Sequence, residues 1–537
     1  MSIAKCTAVV FACLFPLLAF GQREDAILAG RVSNAATKSS LEGAVVQVEG
    51  TAHSTRTERD GSYRIAVPAG SYTLAVTYTG LDAQTVAVTA QAGQTTRQDI
   101  GLSAEIYKLG AFTVSGEREG NALAITLQRQ APNVKEVVSA DAFGNMAGNP
   151  AELLGRLPGI VADSGMEGRY VTIRGIDQTL TTVTMDGNRM ANGASAGATR
   201  EFQFELIGVD RIERIEVTKS PTPDMDADSI AGVVNLVSKS AFDGPPDRRI
   251  GFSAGYIWRP FYTAGGTRLD RPRKNWTVSY SEVFKNKLGV SFNYGHRQSL
   301  LALDVGTQNF QATPTLPAYT YQYSYNDFKI TRTRYGGGLK LDYKLSDTTR
   351  FFVNGQINYH AEYEDDNNST YATSQSTAAT GGILPGYTEN MTEWRPIAAT
   401  NLAVSAVSTL KGGKTENYQI GAVHNFKSLR IDYDLFKSIG ITDYPGNATF
   451  TYTITGIGLK IDRTGRDAYF PAVIQTAGPS ILNVNNYRDN VLNIAIMRAD
   501  DKYRGGALNV KQDFLAPVPM FLKAGLRVRE QTRDLTK

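Results

Sequence analysis

The sequence predicts a mainly β protein built of an N-terminal β-sandwich, a small α+β domain, and the first part of a transmembrane antiparallel β-barrel that is truncated in this chain. Three observations predict this order. Short alternating runs separated by turns occupy residues 22–102, a short helix and several apolar strands occupy residues 122–242, and longer aromatic-rich alternating segments occupy residues 249–537. Those longer segments have roughly the ten residues that a tilted barrel strand needs to cross a bilayer.

Residues 1–21 have the features of a cleaved export signal. Lys5 precedes an apolar run, and residues 19–21 form the small-x-small pattern that a signal peptidase reads. A lipoprotein signal ending at Cys13 is the alternative, although the residues before it fit that pattern poorly. Cys13 and Cys6 are the 2 cysteines of the protein. The mature chain would therefore lack disulfides, thiolate metal sites and cysteine nucleophiles.

The charge of the chain is nearly balanced. Lys plus Arg total 56 and Asp plus Glu total 52, so the net charge of +4 argues against a nucleic-acid partner. No segment after residue 21 has the length and apolarity of a membrane helix. If the chain enters a membrane, it must do so as a closed barrel, because lipid offers no hydrogen-bond partners to the backbone groups at an open strand edge.

The first domain, residues 22–102, is predicted to be a small antiparallel sandwich. Turn residues at Asp60–Gly61 and Ala69–Gly70 indicate hairpins between short alternating strands. The order of GRV, GAVVQV, DGSYRI and GSYTLAV resembles the carboxypeptidase regulatory-like domain. The resemblance implies no peptidase activity. This segment has no HExxH motif and its single histidine is His53, so we interpret the domain as a docking or spacer module.

The second domain, residues 122–242, is predicted to combine one short helix with a mixed sheet. Asn149 caps the helix, Pro150 begins it, and Pro158–Gly159 stops it. The predicted strands are 170–173, 182–185, 212–217 and 233–237.

The same domain carries five motifs in a fixed order. AELLGRLPGI, VTIRGID, TTVTMDG, RIERIEVTKSPTPDMDADSIAG and VVNLVSKS follow one another between residues 151 and 240. This series resembles the plug of TonB-dependent outer-membrane receptors. The resemblance implies an outer-membrane location, a surrounding barrel and energised import rather than catalysis.

The linker at residues 103–121 contains an alternating segment. By position it resembles the Ton box, which is lent as a strand to a periplasmic TonB-type energy-coupling protein, a mode in which backbone hydrogen bonds carry the affinity. The alternatives are a last strand of the sandwich or a plain tether. The Ton-box residues are Phe112, Thr113, Val114, Ser115 and Gly116.

The resemblance also implies charged contacts between plug and barrel wall. The residues expected to make them are Arg174, Glu213, Arg214 and Glu216. The alternative is that they are ordinary solvated strand residues.

Two short patterns suggest other chemistry. Asp224, Asp226 and Asp228 imitate the start of a calcium loop, but the sixth and twelfth positions hold Ser229 and Asn235, so a turn is the better interpretation.

Residues 251–255 match a nucleophile elbow around Ser253. An elbow requires a helix after the turn, whereas Ser253 is followed by a further strand pattern, so we expect it on the first barrel strand.

Aromatic residues of the barrel segments suggest a lipid-facing girdle or, alternatively, a wall on which a substrate stacks; these residues are Trp258, Trp276, Tyr280, Phe292 and Tyr294. Tyr319, Tyr321 and Tyr323 lie in predicted polar loops and are candidates for ligand contact, but the ligand site itself stays unassigned.

About ten candidate strands precede Lys537, whereas a plugged barrel has on the order of 22, so we expect the chain to be a fragment. The polar stretch 364–414 is predicted to be a long external loop.

The predicted function is uptake of a nutrient ligand across the outer membrane. An oligosaccharide or another complex organic compound is favoured over a ferric siderophore, with outer-membrane lipid and a TonB-type protein as partners and no cofactor. The alternatives are a surface adhesion or structural protein and, more remotely, a secreted hydrolase.

Overall fold

The structure is a computed structural model that describes most of the chain after residue 25. The described ranges are 26–104, 119–140, 150–162, 168–193, 196–197, 199–209, 212–223, 225–258, 261–262, 268–269, 272–311, 316–426, 428–464, 469–514 and 520–537. The predicted export signal and Ton box therefore lie outside the described residues.

The N-terminal domain is a two-sheet β-sandwich. Its strands are β1 Ala26–Asn34, β2 Val45–Val48, β3 Ser54–Arg56, β4 Ser62–Val67, β5 Gly70–Tyr78, β6 Leu81–Ala90, β7 Thr95–Arg97 and β8 Ile100–Leu102. One sheet has the order β4-β1-β7, with β8 also on β1, and the other has the order β3-β2-β5-β6. Alternate residues such as Leu28, Val46 and Leu74 are buried between the sheets, which is the arrangement that their alternation predicts.

The two predicted hairpins of the sandwich are wrong in their pairing. The turns at Asp60–Gly61 and Ala69–Gly70 connect strands of different sheets, because β3 pairs with β2, β4 with β1, and β5 with β2 and β6. The sandwich is also not purely antiparallel, since β1 pairs with β7 and β8 in parallel. Turn residues mark where the chain reverses, but they do not say which sheet receives the next strand.

The plug domain is a mixed sheet with two helices. Its elements are α1 Glu119–Gln130, β9 Lys135–Ser139, α2 Pro150–Leu154, β10 Ile160–Ala162, β11 Val171–Ile173, β12 Thr181–Met185, β13 Asn188–Arg189, β14 Ile212–Thr218 and β15 Gly232–Ser238. The main sheet has the order β13-β12-β15-β14-β9, with β12 and β15 parallel. The predicted strands are confirmed to within about one residue, and the predicted helix begins at Pro150 and ends at Leu154. Buried apolar side chains occupy each of these elements. The predicted cap Asn149 lies outside the described residues.

The C-terminal part is dominated by one antiparallel sheet of nine strands, which we call the barrel sheet. The strands described in this part are β16 Arg249–Ile257, β17 Phe261–Tyr262, β18 Arg268–Leu269, β19 Arg273–Phe284, β20 Leu288–Phe310, β21 Thr320–Ser346, β22 Thr349–Ala372, β23 Met391–Trp394, β24 Asn401–Phe426, β25 Leu429–Thr455, β26 Gly458–Asp462, β27 Ala472–Ala477, β28 Arg488–Phe514 and β29 Met520–Thr536. The barrel sheet has the order β16-β19-β20-β21-β22-β24-β25-β28-β29. Strands β23, β26 and β27 form a small separate sheet.

The two faces of the barrel sheet differ in polarity. On β22, Phe351 and Val353 are exposed, whereas Asn354, Gln356 and Asn358 are buried. The buried polar face packs against the plug, as Asn354 shows by donating to Asp186. This alternation of apolar and polar positions is typical of a membrane barrel with a polar interior.

Strand length is where the barrel differs most from the prediction. Strands β21, β22, β24 and β25 have 24 to 27 residues, and the expected loop at 364–414 lies partly in β22 and β24. Backbone pairing needs no apolar side chains, so a strand that extends into water continues without the alternation that the prediction relied on. Within the described ranges, no helix has the length and apolarity to cross a membrane.

Candidate functional site

A buried group of charges joins the plug to the barrel sheet. Glu205 lies in a single turn of 3-10 helix, Phe204–Leu206, and its side chain is completely buried. Its Oε1 is 3.2 Å from Nζ of Lys411 on β24 and 2.9 Å from Nε of Arg169 in the plug. Arg169 also reaches Glu362 on β22 at 3.4 Å, and Glu362 binds Arg332 on β21 at 2.6 Å. The plug is thus held by a chain of ion pairs that crosses three barrel strands.

The position of Glu205 makes its charge important to the whole group. Burial alone would raise the pKa of its carboxyl, but the neighbouring Lys411 and Arg169 outweigh burial and lower that pKa. Arg334 adds a further cation by donating to the Glu205 carbonyl. A carboxylate in this position offsets buried cations that would otherwise repel one another.

A second contact lies nearer the turns of the barrel. Asp186, at a plug turn, accepts a hydrogen bond of 2.6 Å from Asn354 of β22, and its carboxylate is 3.8 Å from the ammonium of Lys340 on β21. The hydroxyl and backbone N–H of Ser238 also donate to Asp186. Burial raises the pKa of Asp186, but Lys340, Arg59 and these donors lower it overall.

A third contact is made by the plug loop at residues 188–193, which runs along β25 and β28. Asn188 donates to Asp434 at 2.7 Å, the Ala191 N–H to Ser438 at 2.8 Å, and the Asn192 N–H to Asp501 at 3.0 Å. Gly440 permits this approach, since a Cβ at that position would lie 2.6 Å from the Asn192 nitrogen. The three contacts together seat the plug along five successive barrel strands.

Three of the four residues expected to contact the barrel face other parts of the protein. Glu213 binds Arg59 of the sandwich at 2.5 Å, Arg214 is 3.4 Å from Glu42 of the sandwich, and Glu216 pairs with Arg214 at 2.9 Å and with Lys135 of the plug at 3.1 Å. The expected contact with the barrel wall is wrong for these three, because β14 lies at the side of the plug that the sandwich covers.

The fourth residue, Arg174, is exposed and donates to the Ala231 carbonyl at 3.4 Å. In the described part of the chain, its recorded contact is within the plug. A barrel contact of Arg174 therefore stays a prediction.

The remaining sequence candidates are placed as follows. Asp226 approaches Arg529 and Arg527 of β29, and Asp228 pairs with Arg189 and Arg200, so arginines engage both described carboxylates of the calcium-like pattern. Asp224, its first position, lies outside the described residues.

Ser253 lies within the uninterrupted strand β16, which confirms the expected strand and is incompatible with a nucleophile elbow.

The aromatic candidates divide into two groups. Trp276 stacks on Tyr294 with a centroid distance of 5.2 Å, in a row that continues to Tyr335 and Tyr359 on the face away from the plug. This placement agrees with a lipid-facing girdle. Tyr319 and Tyr321 pack in or against an apolar cluster around Trp394. Tyr323 stacks on Tyr371, which packs against the same cluster, at a centroid distance of 6.1 Å.

Sequence reasoning missed Glu205, Asp186 and Asn192 as contact residues. A signal existed for Glu205, because an acidic residue inside the apolar series Phe202, Phe204 and Leu206 must be paired if that series is buried. Its barrel partner Lys411 on β24 could not be read from spacing, since it lies 206 residues away.

Two family descriptions match the chain. Residues 27–103 match the carboxypeptidase regulatory-like domain, and residues 127–233 match the TonB-dependent receptor plug domain. Similar solved structures include the unliganded ferric citrate transporter FecA, with 13% identity over 75% of this chain and 66% of that chain and a TM-score of 0.30. The siderophore receptor PiuA from Acinetobacter baumannii has 14% identity over 75% of this chain and 62% of that chain, with a TM-score of 0.33. The chain spans slightly less than two thirds of the length of these structures.

A plug packed against the polar face of a β-sheet whose other face is apolar is the arrangement of an outer-membrane barrel with an internal domain. The match of residues 127–233 identifies the family of that internal domain. The chain carries the plug domain of a TonB-dependent receptor, and such receptors are outer-membrane β-barrel proteins.

Proposed function

We propose that the protein imports a nutrient ligand across the outer membrane, driven by a periplasmic TonB-type partner that pulls on the linker. The observation that carries this proposal is the interface between plug and barrel sheet. The interface contains separate ion pairs and hydrogen bonds beside a small apolar cluster of Ala191, Phe436 and Tyr503. Polar contacts of this kind can be exchanged for contacts with water one after another, which suits a plug that must move under force.

The point of pulling is the alternating segment Phe112–Gly116. An extended segment can add a strand to a partner's sheet, with backbone hydrogen bonds carrying the load. Its place directly before the plug means that force on it would reach α1 and β9 first.

The ligand that we propose is an oligosaccharide or another complex organic nutrient. The support is the resemblance of residues 219–232, together with the preceding sandwich, to receptors of that class. Growth tests on individual oligosaccharides as sole carbon source, and on ferric siderophores as sole iron source, separate the two ligand classes.

The experiment that tests the transport function is uptake by the receptor with and without residues 109–116. We expect deletion to abolish uptake while leaving the protein in the outer membrane. Val114→Pro should also abolish it, because proline removes a backbone donor, whereas Val114→Thr should not. Unchanged uptake in the deletion variant would contradict the proposal.

A further inference from the structure

One turn of the sandwich places three consecutive charged residues against three different parts of the receptor. The turn lies between β3 and β4. Glu58 binds Arg430 at the start of β25, and Asp60 binds Lys344 near the end of β21. The middle residue, Arg59, enters the plug. The turn therefore contacts two points of the barrel sheet and the plug simultaneously.

Arg59 makes most of the contacts. Its guanidinium donates to both carboxylate oxygens of Asp243 at 2.5 and 2.6 Å, to Glu213 at 2.5 Å, and to the carbonyl of Ser238 at 2.6 Å. These acceptors belong to β14, the end of β15, and the segment that connects the plug to β16. A planar guanidinium with several donors in fixed directions is suited to holding such elements in register.

The turn itself is rigid. Gly61 has a φ of +77°, and its N–H donates to the Glu58 carbonyl at 2.8 Å. The Glu58 N–H donates in turn to the Ser62 carbonyl at 2.8 Å. A Cβ at Gly61 would lie 2.5 Å from the Val32 carbonyl, so the backbone of the turn is fixed against β1.

The remaining contacts of this surface differ in exposure. Arg59 and its partners Glu213 and Asp243 are 13–17% exposed. Arg97 of the sandwich and Asp347 of the barrel sheet form a pair at 3.4 Å, but their side chains are 60% and 82% exposed. A pair in water contributes little, whereas breaking a buried pair leaves an uncompensated charge. Loss of Arg59 is therefore costly, whereas loss of Arg97 is not. The pairs Asp60–Lys344 and Glu42–Arg214 are buried to a similar degree as the Arg59 pairs.

From this geometry we propose that the turn at residues 58–61 is a latch through which the sandwich holds the plug in its seated position against the barrel. The assignment of this latch to the resting state of the receptor rests on the proposed transport function. Release of Arg59 from Glu213 and Asp243 must then precede any movement of β14 relative to the connecting segment.

The first test measures the urea concentration at which potassium chloride current appears across planar bilayers that contain the receptor. Arg59→Met should lower that concentration by roughly 1–2 M, as expected when one buried ion pair is lost. Arg97→Met removes the same charge from the same domain at the exposed pair and should leave the concentration unchanged. Equal values for the two variants would overturn the proposal.

A second measurement does not depend on how Arg59→Met folds. Residues 22–537 contain no cysteine, so Glu58→Cys with Arg430→Cys can be joined by a short cleavable crosslinker in isolated outer membranes. We expect efficient crosslinking and a raised urea concentration that returns to the starting value on cleavage. Crosslinking at the background level, or no rise, would overturn the latch. Neither readout needs a ligand or a TonB-type partner, so failure of the transport proposal would be seen separately.

Discussion

The ammonium of Lys411 lies 3.2 Å from the carboxylate of Glu205, and both side chains are buried where the plug meets the barrel sheet. The pair joins residues 206 positions apart in the sequence. Arg169 and Arg332 are part of the same network, through Glu205 and Glu362. Because cations outnumber carboxylates there, the network depends on each carboxylate that it contains.

Glu205→Gln should weaken the seating of the plug by about 3–5 kcal/mol, since it leaves buried cations without their partner. The measurement is the urea concentration at which protease cleaves the plug in detergent-solubilised receptor. Combining Glu205→Gln with Lys411→Met should restore part of the loss, because the unpaired ammonium is removed as well. If the double variant loses as much stability as the two single variants together, or more, the assigned pairing is contradicted.

Gly440→Val should displace the plug loop at 188–193 from β25, because a Cβ at Gly440 would lie 2.6 Å from the Asn192 nitrogen. Overpacking of this kind costs about 1–3 kcal/mol. Gly446 on the same strand is the matched control, since a Cβ there meets no atom within 4 Å. The same protease assay should detect loosening for Gly440→Val and not for Gly446→Val. Equal behaviour of the two variants would mean that the loop does not pack on β25.

The contact between sandwich and plug should weaken as pH rises. Burial, together with the neighbouring Asp243, raises the pKa of Glu213 to about 8, although Arg59 and Arg214 act in the opposite direction and Glu42 adds to the rise. A released carboxyl would titrate near its ordinary value of 4.5. Between pH 4.5 and about pH 8 the docked carboxyl keeps a proton that the released carboxyl has lost. Docking is therefore strongest below pH 4.5 and weakens as the pH rises toward 8.

Crosslinking between Glu58→Cys and Arg430→Cys checks this pH dependence, with the crosslinking reaction itself calibrated at each pH on a free dithiol. We expect the yield to fall from pH 5 to pH 8. In Glu213→Gln, which cannot ionise, the fall should be absent. A persistent fall in that variant would assign the titration to another group.

The sequence predicted those parts of the fold in which one face of a strand is apolar. Strands β12, β14 and β15 agree with the prediction to within about one residue because buried apolar residues recur along each of them. The outer parts of β21 and β22 were missed because both faces of a strand outside the membrane can be polar.

The candidate site was less predictable than the fold. Glu213 and Arg214 were correctly singled out as charged residues of the plug, but their partners Arg59 and Glu42 lie in another domain. Spacing along one strand gives the side of the strand on which a residue lies, and it does not say which domain covers that side. Only the packing of the sandwich against β14 determines these pairs.

The central claim is that residues 122–242 close a barrel from within, and single-channel conductance of the receptor in planar bilayers tests it most directly. With the plug present, we expect membranes in potassium chloride to show no stable large conductance. With residues 122–242 deleted, we expect a large and continuously open pore. A deletion variant that inserts into the bilayer but stays closed, or an intact receptor that is already open to the same extent, would contradict the account.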